Sequence, residues 1–131
     1  MSMDKSTSIG RVRGLGSAHE GTEHWLRQRI TAGSNLLLML WFMLSLARLP
    51  AYDYATVTAW LSSGWVAIPM ILLVITVFYH FRLGLQVVIE DYEKDATRIA
   101  LLVLLNFFVV AAAAIAIFSI LSIAFTSGAA A

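Results

Sequence analysis

No charged residue stands between Arg29 and Arg48, between Asp53 and Arg82, or anywhere after Arg98. A helix needs about 20 residues to cross a hydrocarbon core of roughly 30 Å. Each of the three uncharged runs is close to that length or longer. Backbone in lipid must also satisfy its own N–H and C=O groups, which an apolar helix does. Each run therefore holds one helical span, near residues 30–49, 64–90 and 98–125. This predicts an all-α membrane protein with three transmembrane helices. Composition agrees: 60% of the 131 residues are hydrophobic, 13% are charged, and the mean hydropathy is +0.80. A soluble domain of this size has too little interior to hide so much apolar surface. Pro50 and the run Ser62 to Gly64 mark a loop between the first two spans. Pro69 falls in the first turns of the second helix, where a missing N–H costs least.

Residues 1–29 hold five basic and three acidic side chains and no apolar core of the kind a signal peptide needs. Glycines at 10, 14, 16 and 21 break up this segment, so residues 1–21 read as a cytoplasmic arm and 22–131 as the membrane domain. A helix begins near Thr22, with Glu23 in its first turn. Lys5, Arg11, Arg13, Arg27 and Arg29 precede the first span, and Lys94 and Arg98 lie between the second and third. The connection between the first and second spans has only Arg48, and the tail has no basic residue. The positive-inside rule then predicts a cytoplasmic N-terminus and a periplasmic C-terminus, in a multi-pass protein of the bacterial cytoplasmic membrane. The absence of cysteine excludes disulfides, thiolate zinc sites and iron–sulfur ligation by this chain. A net charge of +1 with no basic cluster gives no ground for nucleic-acid binding.

Ionisable groups at membrane depth are the feature that points to function. At about 100° per residue, His80, Gly84, Val87 and Asp91 (i, i+4, i+7, i+11) form one stripe on the second helix. His80 lies roughly 15 Å along the axis from Glu90. Each nitrogen of a buried imidazole needs a partner. A neighbouring helix, a proton path, or a metal or haem would each supply one. Gly84 suits either a flat macrocycle or a closely packed helix. Arg82 lies about 200° round from His80 and faces away from whatever His80 touches. Its stem can snorkel or its head can pair elsewhere. Trp25, Trp60 and Trp65 fall near span ends, as an aromatic belt requires. Gly33 and Ser34 are small enough for close helix contact.

The pattern H-x-x-x-G-x-x-x-x-x-x-D-Y, carried by His80, Gly84, Asp91 and Tyr92, resembles the small hydrophobic membrane-anchor subunits of succinate:quinone oxidoreductase (succinate dehydrogenase, complex II). The stretch "GSAHEGTEHWLRQRITA" (16–32) is similar to the segment that leads into that family's first helix, with Arg29 in an R-x-T-A context. "LGLQVVIEDY" (83–92) is close to the form found in proteobacterial and mitochondrial members. The resemblance covers nearly the whole chain.

It implies an anchor that shares haem b with a second anchor subunit and forms part of the ubiquinone-reduction site. His80 would be one axial ligand of the haem iron. Tyr92 would hydrogen-bond the quinone, with Asp91 beside it. Arg29 would support a haem propionate or the quinone pocket, and His24 would serve the same region more weakly. FAD and iron–sulfur clusters would belong to a flavoprotein and an iron–sulfur subunit, because this chain has neither a nucleotide fingerprint nor cysteines. The isolated chain would catalyse nothing. The same features fit the anchor of a fumarate reductase, whose reaction is the reverse. A non-redox scaffold, with His80 merely hydrogen-bonded, is the reading from another class.

Overall fold

A computed structural model of the chain describes Ser8 and residues 21–128. These form four helices: α1 (Gly21–Ala47), α2 (Tyr54–Ser62), α3 (Gly64–Tyr92) and α4 (Asp95–Gly128). Three of them, α1, α3 and α4, are long and apolar enough to cross a membrane, as the uncharged runs predict. They overrun the expected spans at most ends. At 1.5 Å per residue α1 is about 40 Å long and α4 about 50 Å, so their ends pass beyond a hydrocarbon core of roughly 30 Å. The arm expected over residues 1–21 lies outside the described residues, Ser8 and Gly21 excepted.

The connection at 48–63, expected as a loop, contains the nine-residue helix α2. Asp53 is its N-cap: one carboxylate oxygen accepts from the Thr56 N–H at 3.2 Å and the other from the Thr56 hydroxyl at 2.6 Å. These bonds to the charged form hold the Asp53 carboxyl below its ordinary value. Only Ser63 separates α2 from α3, and its carbonyl accepts from Val66 and Ala67 at 2.9 and 2.8 Å. Glu93 and Lys94 alone separate α3 from α4. That tight reversal places Asp95 at a φ of 53°, a left-handed conformation that aspartate adopts more readily than most residues.

Helix α3 is the middle of the bundle. It packs against α1 on one side and α4 on the other, and among the described residues α1 and α4 do not meet. Leu83 of α3 is the most deeply buried side chain, with Leu73 and Ala67 on the same helix and Leu105, Val109 and Ile120 on α4. Aromatic contacts join Phe81 to Phe108 across α3 and α4, and Phe42 of α1 to Trp60 of α2, at centroid separations of 6.4 and 6.3 Å. Gly33 makes no close approach within the chain: a Cβ added there would meet nothing within 4 Å. The expectation of tight packing at that glycine fails inside this chain, because it lies on the exposed side of α1.

Candidate functional site

The stripe on α3 faces α1, and α1 answers it with a polar stripe of its own. His24, Gln28, Thr31 and Asn35 recur at i, i+4, i+7 and i+11, one face of a helix. Thr31 is the one buried polar residue of the described chain, at 8% exposure. Its Oγ1 lies 2.9 Å from Nδ1 of the half-buried His80. The same hydroxyl lies 2.9 Å from the carbonyl of Arg27 and 3.0 Å from that of Gln28. Among the described residues, Nε2 of His80 has no hydrogen-bond partner. One turn along α3, Gly84 faces Gln28, whose amide nitrogen would sit 3.6 Å from an added Cβ. That distance is ordinary van der Waals contact, so the chain's own packing leaves room for a Cβ at this position.

His80 lines an open groove of about 570 Å³ between α1 and α3, with Asn35, Met39, Val77 and Phe81 among its mostly apolar walls. Among the described residues, the buried Oδ1 of Asn35 has no hydrogen-bond partner. Nearer the Tyr92 end of α3, a smaller and mostly polar cleft of about 250 Å³ is lined by Glu23, His24, Arg27, Arg82, Leu83 and Gln86. Arg27 pairs with Glu23 one turn back, and Gln86 donates to Glu90 at 2.9 Å. Among the described residues, the buried Nε2 of His24, which lines this cleft, has no hydrogen-bond partner, and neither has the buried Oε1 of Gln28.

Arg82 sends its hydrogen bond the other way, as its helical angle predicts. Its Nε donates to Oδ1 of Asn106 on α4, and Asn106 in turn donates to the Leu102 carbonyl at 2.8 Å. The second span's half-buried cation is thus held within the chain. Sequence reasoning missed both Asn106 and Thr31. Their signal was a lone amide in an otherwise apolar third span and a threonine on the polar stripe of the first.

The remaining site residues are spread out. Asp91 and Tyr92 are exposed at the end of α3, Tyr92 at 82%. Tyr92 is about 18 Å along the axis from His80. Arg29 is exposed, with its guanidinium 5.0 Å from the centre of the Trp25 ring. The structure joins His80 to α1 through Thr31, just beyond Arg29. Among the described residues no three His, Cys, Asp or Glu side chains come together. Among the described residues, His80 therefore belongs to no three-donor cluster.

Residues 3–124 match the family model described as the transmembrane subunit of succinate dehydrogenase and fumarate reductase. The chain is 39% identical over 92 residues to the succinate dehydrogenase hydrophobic membrane anchor subunit of Rickettsia bellii, covering 70% of this chain and 74% of that one. It is 33% identical over 92 residues to the anchor subunit of the same name from Paracoccus denitrificans, covering 70% and 71%. The corresponding subunit of Rickettsia conorii is 31% identical over 93 residues, covering 70% and 74%. No solved structure matches the chain. With three membrane-spanning helices and relatives of this kind, the chain is a multi-pass bacterial membrane protein, and it belongs to the family of succinate dehydrogenase hydrophobic membrane anchor subunits.

Proposed function

We propose that the chain and a second membrane-anchor subunit hold haem b between their spans, with His80 as one axial ligand, and together form part of the site where ubiquinone takes up electrons from succinate. The observation that carries this reading is the state of His80. It is an imidazole at membrane depth, anchored through Nδ1 to Thr31, with Nε2 unengaged beside an apolar groove. The donor set fits the group. A neutral imidazole is an axial ligand of b-type haem, the groove has the apolar walls a macrocycle requires, and it is open along one side. His80 is the one histidine within the uncharged runs of the three spans, so a second imidazole ligand would come from the companion anchor. Bound haem would supply a one-electron redox group. This chain's residues ligate it, fix the ligand's orientation and keep water from one edge.

The Lys and Arg distribution supports a cytoplasmic N-terminus and a periplasmic C-terminus. That orientation brings Glu90, Asp91 and Tyr92 to the cytoplasmic boundary, where an iron–sulfur subunit, itself docked on a flavoprotein, would deliver electrons. Tyr92 then donates a hydrogen bond to the quinone, and Asp91 orients polar groups beside it. His24, whose buried Nε2 has no partner among the described residues, supports the quinone pocket or a propionate. Arg29 does so as a cation on the exposed side of α1, across an interface. The same anchor serves a fumarate reductase if the electrons run the other way.

His80→Ala tests the reading in the intact complex purified from membranes. Loss of the b-type reduced-minus-oxidised band, with all four subunits still assembled, is expected. An unchanged spectrum with six-coordinate low-spin iron would overturn the ligand assignment.

A further inference from the structure

We infer that Thr31 is a positioning residue for the haem site: its hydroxyl oxygen accepts a hydrogen bond from Nδ1–H of His80 and so leaves the Nε2 lone pair free to bind iron. The inference rests on the haem reading above and adds to it the residue that sets the ligand's tautomer and basicity.

One hydrogen decides the tautomer. A threonine hydroxyl has a single O–H and two lone pairs. Thr31 Oγ1 sits at 2.9 and 3.0 Å from two backbone carbonyls and at 2.9 Å from His80 Nδ1. The carbonyls can only accept. If the hydroxyl hydrogen pointed at Nδ1, the oxygen's lone pairs would face two carbonyl oxygens at contact distance, which is repulsive. If it points back to the α1 carbonyls, the common arrangement for threonine inside a helix, a lone pair is left facing Nδ1. Nδ1 must then carry the proton, and the neutral ring has its lone pair on Nε2.

Burial makes this a fixed state. Thr31 is 8% exposed, so water does not compete for its oxygen, and a mismatched pair would leave a polar group unsatisfied in the membrane interior. The bond also ties α1 to α3 at the depth of the groove, so it sets the ring's rotation as well as its tautomer. An acceptor on the far nitrogen of a ligating imidazole raises its donor strength. A more electron-rich ligand favours ferric over ferrous iron, so the Thr31 contact holds the haem potential down.

The test uses the four-subunit complex in native membranes and after purification. Thr31→Val keeps the shape and deletes the hydroxyl, Thr31→Ala deletes it without β-branching, and Thr31→Ser keeps it without the methyl group. The hydroxyl-free variants should assemble, show a haem midpoint potential shifted to more positive values, and give altered g values for the low-spin ferric haem. The serine variant should return both readouts toward wild type. Wild-type potential and g values in both Thr31→Val and Thr31→Ala would overturn the inference. So would a change, or a loss of assembly, that serine fails to restore, because that assigns the effect to packing of the methyl group. His80→Ala run in parallel separates the two levels. If that variant keeps its haem spectrum, the ligand reading itself has failed, whereas haem loss there with unaltered Thr31 variants removes only the role of Thr31.

Discussion

Arg82 and Asn106 show how a charge survives in the middle of the bundle. The guanidinium donates to the Asn106 carbonyl oxygen, whose amide is held by the Leu102 carbonyl. Removing the amide leaves a cation in low dielectric with no fixed partner. Hydrogen bonds of this kind are worth about 1–2 kcal/mol in protein interiors and somewhat less between membrane helices. Asn106→Leu should therefore lower the thermal stability of the assembled complex, and adding Arg82→Leu should recover much of the loss, since an apolar pair can replace a polar one. A thermal melt of each variant checks this. Equal stability of Asn106→Leu and wild type would mean that Arg82 finds another partner, such as headgroups reached by snorkelling. Much at this scale was legible in the sequence. Helical periodicity put His80 and Arg82 on opposite sides of α3, and they do bond to different helices. Their partners were not legible, because periodicity gives each helix a face but does not pair that face with a neighbour's. Thr31 read as one more residue of an R-x-T-A context until α1 was packed on α3.

Among the elements, α2 is the one that charge spacing could not place. Its sequence, YATVTAWLS, is nine residues between two turn signals, and Pro50 and the serines read as loop. What makes it a helix is local: the Asp53 cap, and the single-residue link at Ser63 that joins it to a helix already held in the bundle. The cap also makes it sensitive to pH. Bonds from Thr56 to the carboxylate hold the Asp53 carboxyl below its ordinary value of 3.8, so the stabilisation is complete above that value and is lost as pH falls through the lowered one. Hydrogen exchange at the Thr56 and Val57 amides should quicken in that acid window. Asp53→Asn keeps a capping oxygen without a titrating group, so its exchange should not show that step. Asp53→Ala should exchange fast at every pH. An acid step that persists in the asparagine variant would trace the effect to another group. The long helices were legible for the opposite reason. An uncharged run long enough to span the bilayer overrides local signals, and only the helix ends, set by caps and by the reversal at Glu93 and Lys94, escaped the spacing argument.

Taken whole, the molecule leaves most of its membrane surface uncovered. Even in α3, the central helix, 17% of the apolar window is buried within the chain, and less in α1 and α4. Lipid and companion subunits must cover the rest, and the groove at His80 is open on one side for the same reason. The middle and the end of α3 divide accordingly. The region around His80 is mid-helix, mostly apolar and anchored through Thr31, whereas the Tyr92 end is exposed, so a haem and a quinone head would each find the environment their chemistry needs. A phenol at the membrane boundary can donate to a quinone oxygen, and that bond strengthens as negative charge builds during reduction. At about 120° round the helix from His80, Tyr92 would, on the proposed reading, face a quinone beside the haem and not the haem itself. Tyr92→Phe keeps the ring and removes the hydroxyl alone. Succinate–quinone turnover in the assembled complex should then fall by about tenfold or more, the scale of losing one donor to a developing oxyanion. Succinate oxidation by a soluble artificial acceptor should be unchanged, because the flavin and iron–sulfur subunits are untouched, and the haem spectrum should match wild type. A fall in the soluble assay as well would point to failed assembly, and the yield of the complex would show it. Full quinone turnover in the phenylalanine variant would leave Tyr92 as an interfacial belt residue and move the quinone's hydrogen-bond donor to the polar cleft at His24 or to a companion subunit.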